Sequence, residues 1–274
     1  MGHSDGVSPV QEKAWRAGRF WWDCTQSADP GAHPLRALIL DLDAMSDLDL
    51  DGHRVVFNAA FAAHGLELTW SPARYRQLLA LHDERQRVGA ELRKRCVGPE
   101  CDVLVELLAD EICATKDMIF DEMILDLGPS PRAGLVDLVM DAFADGVPVG
   151  VVSGGRRRWV EPLVRQLVGD GLVDTIVTGD DVSDTAARGE AYRHALWELG
   201  VAPHEALGIA GSGAALRAAN ATGLGTVLVG ADTDGAGRPA IAVRADYACA
   251  DGLRLAVCRR LLGQWWAQHS PSAA

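Results

Sequence analysis

Asp41 and Asp43 stand two residues apart at the end of a short apolar run, and the triplet Ser153-Gly154-Gly155 ends a second such run much further along. Glycines let backbone N–H groups approach an anion, a serine hydroxyl can hold one of its oxygens, and Arg156, Arg157 and Arg158 follow directly with positive charge. The chemistry on offer is the binding of an oxyanion such as a phosphate group. Each feature also has a plainer reading. Aspartates after strands close turns, and arginines in a row at the start of a helix form a solvated face. Asp180 and Asp181, the rest of the stretch 180 to 190, and residues 210 to 213 are the other positions that a set of strand ends would bring alongside.

The elements that must position these residues are legible in the hydrophobic pattern. Residues 36 to 41 are apolar without alternation and close on Asp41, which predicts a strand buried on both faces of a parallel sheet. From about 52 to 127 the pattern is helical, with Val55, Ala59, Ala62 and Ala63 expected on one inner face and Leu104, Leu107, Leu108 and Ile112 on another. Ser130-Pro131 reads as a helix cap and first-turn proline, leading into Leu135, Leu138, Val139, Ala142 and Phe143 at helical spacing, closed by Gly146. A strand over 147 to 152 follows. Helices over 160 to 168, 192 to 199 and 214 to 221 then alternate with strands at 175 to 178, 206 to 210 and 226 to 229. Such alternation predicts an α/β fold with a doubly wound, Rossmann-like parallel sheet and an inserted helical domain. In sheets of this kind ligands gather at the carboxyl ends of the strands, where Asp41 and Ser153 fall. Residues 1 to 34 have no clear period and read as an extension; its Trp15, Phe20, Trp21 and Trp22 cover the flank of the domain or dock a protein partner.

Composition narrows the function. The 274 residues carry a formal net charge of -12, which opposes nucleic acid as a ligand. No apolar stretch reaches the ~18 to 20 residues of a membrane helix. The six cysteines, at 24, 96, 101, 113, 249 and 258, form no CxxC pair, so a reduced, cytoplasmic protein is expected, with Cys96 and Cys101 packed inside. Trp265 and Trp266 are expected to close the terminal helix over the core.

The ordered motifs resemble the haloacid-dehalogenase-like hydrolases. Within them, Asp51-Gly52-His53-Arg54, Gly65-Leu66, Trp70, Gly179-Asp180-Asp181-Val182, and the run from Leu199 to Pro203 look like the CbbY-like sugar-phosphate phosphatases, relatives of β-phosphoglucomutase. The resemblance covers residues 36 to 262. It implies a core over 35–51 and 128–268, a helical cap over 52–127, and two-step phosphoryl transfer. Asp41 would attack phosphorus, Asp43 would act as acid and base, and Ser153, Gly154 and Gly155 would hold the phosphate, with Arg156 read from its own position at the helix start as a further clamp. His53 and Arg54 would face a small phosphorylated metabolite from the cap. Magnesium is implied too, held by Asp41 and Asp43.

Two motifs depart from this pattern. The phosphate-binding lysine of the family is Ala186 here, and the Glu-Asp-Ser at the late strand end reads Ala210-Gly211-Ser212, so the carboxylates for magnesium are missing. The expectation is a homologue with weak or no turnover that keeps a phosphorylated ligand. A working magnesium-dependent sugar-phosphate hydrolase is the alternative, and a dehalogenase ranks third.

Overall fold

The computed structural model describes residues 12–16, 19–23, 34–81, 83–97, 101–182, 188–230, 240–248 and 252–269, with 12–16, 19–23 and 188 as backbone alone. They fall into two compact units, one of residues 1–45 and 132–274 and the other of residues 46–131.

The first unit is built on a six-stranded sheet whose strands all run parallel. In chain order they are β3 (Ala37–Asp41), β4 (Val149–Val152), β5 (Thr175–Val177), β6 (Ala206–Ala210), β7 (Gly225–Val229) and β8 (Ala242–Arg244), arranged β5-β4-β3-β6-β7-β8. Apolar runs without alternation become the inner strands because both faces are covered: every residue of β3, β4, β6 and β7 is buried. The expected doubly wound α/β sheet is present, with one strand more than the pattern gave. Strand β8 has three residues and sits half-exposed at the edge, too short and too mixed to leave a period in sequence.

Upstream lies a hairpin, β1 (Glu12–Arg16) paired antiparallel with β2 (Arg19–Asp23), where an extension without regular structure was expected. The side chains of its aromatic residues, and so their flank-covering or docking role, lie outside the described residues.

The helices after Asp41 are α1 (Leu42–Met45), a π-helical turn at Asp49–His53 that runs directly into α2 (Arg54–Ala63), then α3 (Pro72–Leu78), α4 (Glu84–Arg95), α5 (Asp102–Leu127), α6 (Leu135–Ala144), α7 (Arg157–Val168), α8 (Arg188–Leu199), α9 (Gly213–Asn220) and α10 (Leu255–His269). Helix α6 does not start at Ser130-Pro131. Gly134 is its N-cap at φ 82, and a Cβ there would lie 2.9 Å from the Tyr247–Ala248 backbone, so the helix begins where only glycine fits. Pro131 instead bridges Ser46, whose hydroxyl donates to the Ser130 carbonyl at 2.8 Å. Leu135, Leu138, Val139 and Ala142 are buried as expected, but Phe143 is exposed.

The second unit, α2 to α5, has its own core of Phe57, Ala60, Phe61, Trp70, Tyr75, Val88, Leu92, Val105 and Ile112 among others. Its inner faces differ from the expected ones. On α2 the buried residues are Val56, Phe57, Ala60 and Phe61, while Val55 and Ala59 are half-buried and Ala62 and Ala63 are exposed. Two phenylalanines bury far more apolar area than the alanines, and the helix is rotated to suit them. On α5, Ile112 is buried, but Leu104 and Leu107 are exposed. Cys96 and Cys101 are exposed as well: Cys96 closes α4 at φ 53 and Cys101 sits at the N-cap of α5, both helix ends rather than inner faces. Cys258 is buried and Cys113 half-buried, and burial pushes both thiols up to about 12. At the C-terminus, Trp265 and Trp266 are half-buried, Trp265 stacking on His269 with ring centres 3.8 Å apart.

Candidate active site

The parallel register decides which strand ends are neighbours. Asp41 pairs with Val152, so Ser153 follows on one side of it, and Leu40 pairs with Ile209, so Ala210 and Gly211 follow on the other. Asp41, Asp43, Ser153, Gly154 and Gly155 are thereby gathered at one end of the sheet. Asp41 is only 6% exposed, and the Gly211 N–H donates to its carboxylate at 3.3 Å.

Asp43 lies in the single helical turn α1, and that turn is clamped from several directions. Arg132 donates to the Asp43 carbonyl through Nη2 at 3.1 Å and Nε at 3.4 Å, and its own backbone N–H donates to the Met45 carbonyl at 2.8 Å. The hydroxyl of buried Tyr247 donates to the Ala44 carbonyl at 3.0 Å. Gly211 presses against the same turn. A Cβ on it would lie 2.2 Å from the Asp43 carbonyl carbon, 2.3 Å from the Ala44 nitrogen and 2.4 Å from the Asp43 oxygen, distances that no real side chain tolerates. Ser212 caps α9, accepting from the Ala215 N–H at 3.2 Å.

On the other flank, the Ser153 backbone N–H donates to the Val177 carbonyl at 2.9 Å, and the Ser153 hydroxyl accepts from the Gly155 N–H at 3.1 Å. The Gly155 amide is thus already engaged within its own turn. A Cβ on Gly155 would lie 2.1 Å from the Trp159 ring, whereas Gly154 is exposed with open space around it. Arg156 is exposed at the N-cap of α7. Arg157 turns away toward the β5 loop, its Nη2 donating to Asp181 at 2.6 Å and to the Ile176 carbonyl at 3.0 Å, while its N–H donates to Asp180 at 2.8 Å. Burial would raise the Asp181 carboxyl, but hydrogen bonds from Thr178 and Arg157 outweigh it and hold the group below the usual carboxylate range. Asp180 and Asp181 therefore serve the loop. Asp47 does likewise, accepting from the Leu50 N–H at 3.2 Å.

His53 and Arg54 belong to the helical unit. Arg54 donates to the carbonyls of Leu50 at 3.1 Å and Trp70 at 3.3 Å, bracing its own unit. His53 stacks on Phe120 with ring centres 4.4 Å apart, and its Nδ1 is buried without a hydrogen-bond partner although the residue as a whole is only partly covered. Burial, then the charges of Lys116 and Arg87, keep this imidazole well below its ordinary pKa. Lys116 is itself nearly buried, paired with Glu84 at 2.9 Å and lying over the Phe57 and Phe120 rings at 5.3 and 5.5 Å. Ala186 falls outside the described residues.

Sequence reasoning missed Arg132, Tyr247 and Lys116. Nothing in local spacing marks them: Arg132 reads as the first turn of a helix, and Tyr247 is more than 200 residues from the turn it holds. Among the described residues no group of three or more His, Cys, Asp or Glu side chains converges as a metal site would require.

A model of the haloacid dehalogenase-like hydrolase family matches residues 9–223. The protein CbbY of Cereibacter sphaeroides is 29% identical over 197 residues, spanning 71% of this chain and 84% of its own length. A crystal structure of CbbY from Rhodobacter sphaeroides in complex with xylulose-(1,5)bisphosphate superposes with a TM-score of 0.60 at 25% identity, covering 80% of this chain and 97% of that one. A β-phosphoglucomutase from Clostridium difficile shares the fold, with a TM-score of 0.58 at 17% identity over 85% of this chain and 99% of its own.

Proposed function

Because the chain belongs to the haloacid-dehalogenase-like hydrolases and groups with their CbbY-like phosphatases, we propose that it binds a small phosphorylated metabolite beside Asp41 and turns it over slowly or not at all. Residues 46–131 are assigned as the cap domain in this reading. Ser153 and the Gly154 amide hold the phosphate, and Arg156 adds charge at the start of α7. The sugar-bisphosphate complex of the related CbbY supports a sugar phosphate as the ligand class.

The observation that carries the reading is Gly211. Hydrolases of this family typically use magnesium, and magnesium usually requires one or two carboxylates near the substrate phosphate. Here the position expected to carry one has no room even for a methyl group, because the Asp43–Ala44 backbone fills the space. Ala210 beside it is fully buried and apolar. The residues present do not fit the ion. Without its charge, a phosphate oxygen ~4 Å from Asp41 meets a repulsion of about 4 kcal/mol at an effective dielectric of 20. Each 1.4 kcal/mol of lost stabilisation is about tenfold in rate.

The test is calorimetric titration with a panel of sugar phosphates alongside a phosphate-release assay in magnesium. Binding without appreciable release is expected. Brisk release that Asp41→Asn abolishes would establish the second reading, an active hydrolase working through an aspartyl-phosphate, which the intact Asp41, Asp43 and Ser153 favour.

A further inference from the structure

Several arginines of the first unit pair with acids: Arg36 with Glu205, Arg157 with Asp181, Arg254 with Asp141 and Arg259 with Asp145. Arg132 does not. It is half-buried, and its hydrogen bonds run to the Asp43 and Met45 carbonyls, with no carboxylate within ion-pair distance among the described residues. In a chain of net charge -12, it is a cation with no acidic partner among the described residues, placed at the foot of the aspartate turn. Gly230, at φ 120 after β7, packs beside the guanidinium: a Cβ there would lie 3.3 Å from Nη2. Gly211 packs against the same Asp43 carbonyl, and its N–H donates to the Asp41 carboxylate at 3.3 Å.

We propose that Arg132 is a built-in cation that replaces the divalent ion in this protein, fixing the Asp43 main-chain oxygen and offering its remaining N–H groups to a phosphate oxyanion that approaches Asp41. A guanidinium has five donors in a planar fork suited to phosphate, and two of them suffice for the carbonyl. It provides one positive charge where magnesium provides two. The anion is held, but the charge that develops during phosphoryl transfer is less well stabilised, which links ligand binding to poor turnover. The inference rests on the proposed function and names the group that makes it work without metal.

The experiment is calorimetry of the full-length protein with inorganic phosphate, in excess EDTA and in excess magnesium, for the wild type, Arg132→Gln and Arg132→Lys. Wild-type affinity is expected to agree within about twofold between the two buffers. Loss of a charge-assisted hydrogen bond predicts that Arg132→Gln binds about ten- to a hundredfold more weakly in both, while Arg132→Lys recovers most of the difference. Thermal melts of the variants report whether the turn stays folded, and the wild-type comparison of EDTA with magnesium needs no variant at all. A tenfold or greater gain from magnesium in the wild type overturns the inference. So does a folded Arg132→Gln with unchanged affinity, which leaves the proposed function standing. A wild type that binds no phosphate in either buffer overturns both.

Discussion

Tyr247 and Gly211 both set the aspartate turn, one by a hydrogen bond and the other by having no side chain. Tyr247→Phe keeps the ring and leaves the Ala44 carbonyl without its donor, so a loss of about 1 to 3 kcal/mol is expected in urea unfolding. Gly211→Ala forces a methyl group into the Asp43 backbone and is expected to cost about 3 kcal/mol or more, read the same way. His53 carries a pH signature. Its folded pKa lies below the ordinary value near 6.5, so the unfolded chain binds more protons in acid. The stability it leaves intact is present above pH ~6.5 and is lost as pH falls toward the folded pKa, with a slope of up to about 1.4 kcal/mol per pH unit for one proton. Denaturant melts from pH 7 to 5 should show the wild type losing more stability than His53→Asn; parallel curves would remove His53 from the account.

At the scale of elements, side-chain volume settled what periodicity left open. Helix α2 admits two inner faces by spacing, and it turns Phe57 and Phe61 inward and Ala62 and Ala63 outward. Phe61→Ala is expected to cost about 3 to 5 kcal/mol, and Ala63→Glu to stay within about 0.5 kcal/mol, in paired thermal or urea melts. The strands were more legible than the helices. A buried parallel strand must be apolar on both faces, so β3, β4, β6 and β7 announce themselves, whereas a short edge strand such as β8 carries no such demand. Helix α6 begins at Gly134 because the Tyr247–Ala248 backbone crosses it there, a contact that no reading of Ser130-Pro131 contains.

Across the whole molecule, the lack of a carboxylate at Ala210 and Gly211 and the packing of the turn form one arrangement. Restoring the family side chains through Ala186→Lys, Ala210→Glu and Gly211→Asp is therefore expected to unfold the aspartate turn. The melting temperature of the triple variant should fall well below that of the wild type, with no magnesium-stimulated phosphate release. A stable triple variant with magnesium-dependent release would show that the Asp43–Ala44 backbone yields to the new side chains.

The sequence by itself determined the family, the parallel α/β sheet, and the gathering of Asp41 and Ser153 at the ends of buried strands. Those depend on short-range composition: apolar runs, their spacing, and the residues that end them. Only the tertiary structure decided that Gly211 closes against Asp43, that Arg132 lies on the Asp43 carbonyl, and that Tyr247 seals Ala44. Each of those contacts joins residues about 90 or more positions apart, and a single chain's local pattern has no term for groups that meet only after the sheet has formed.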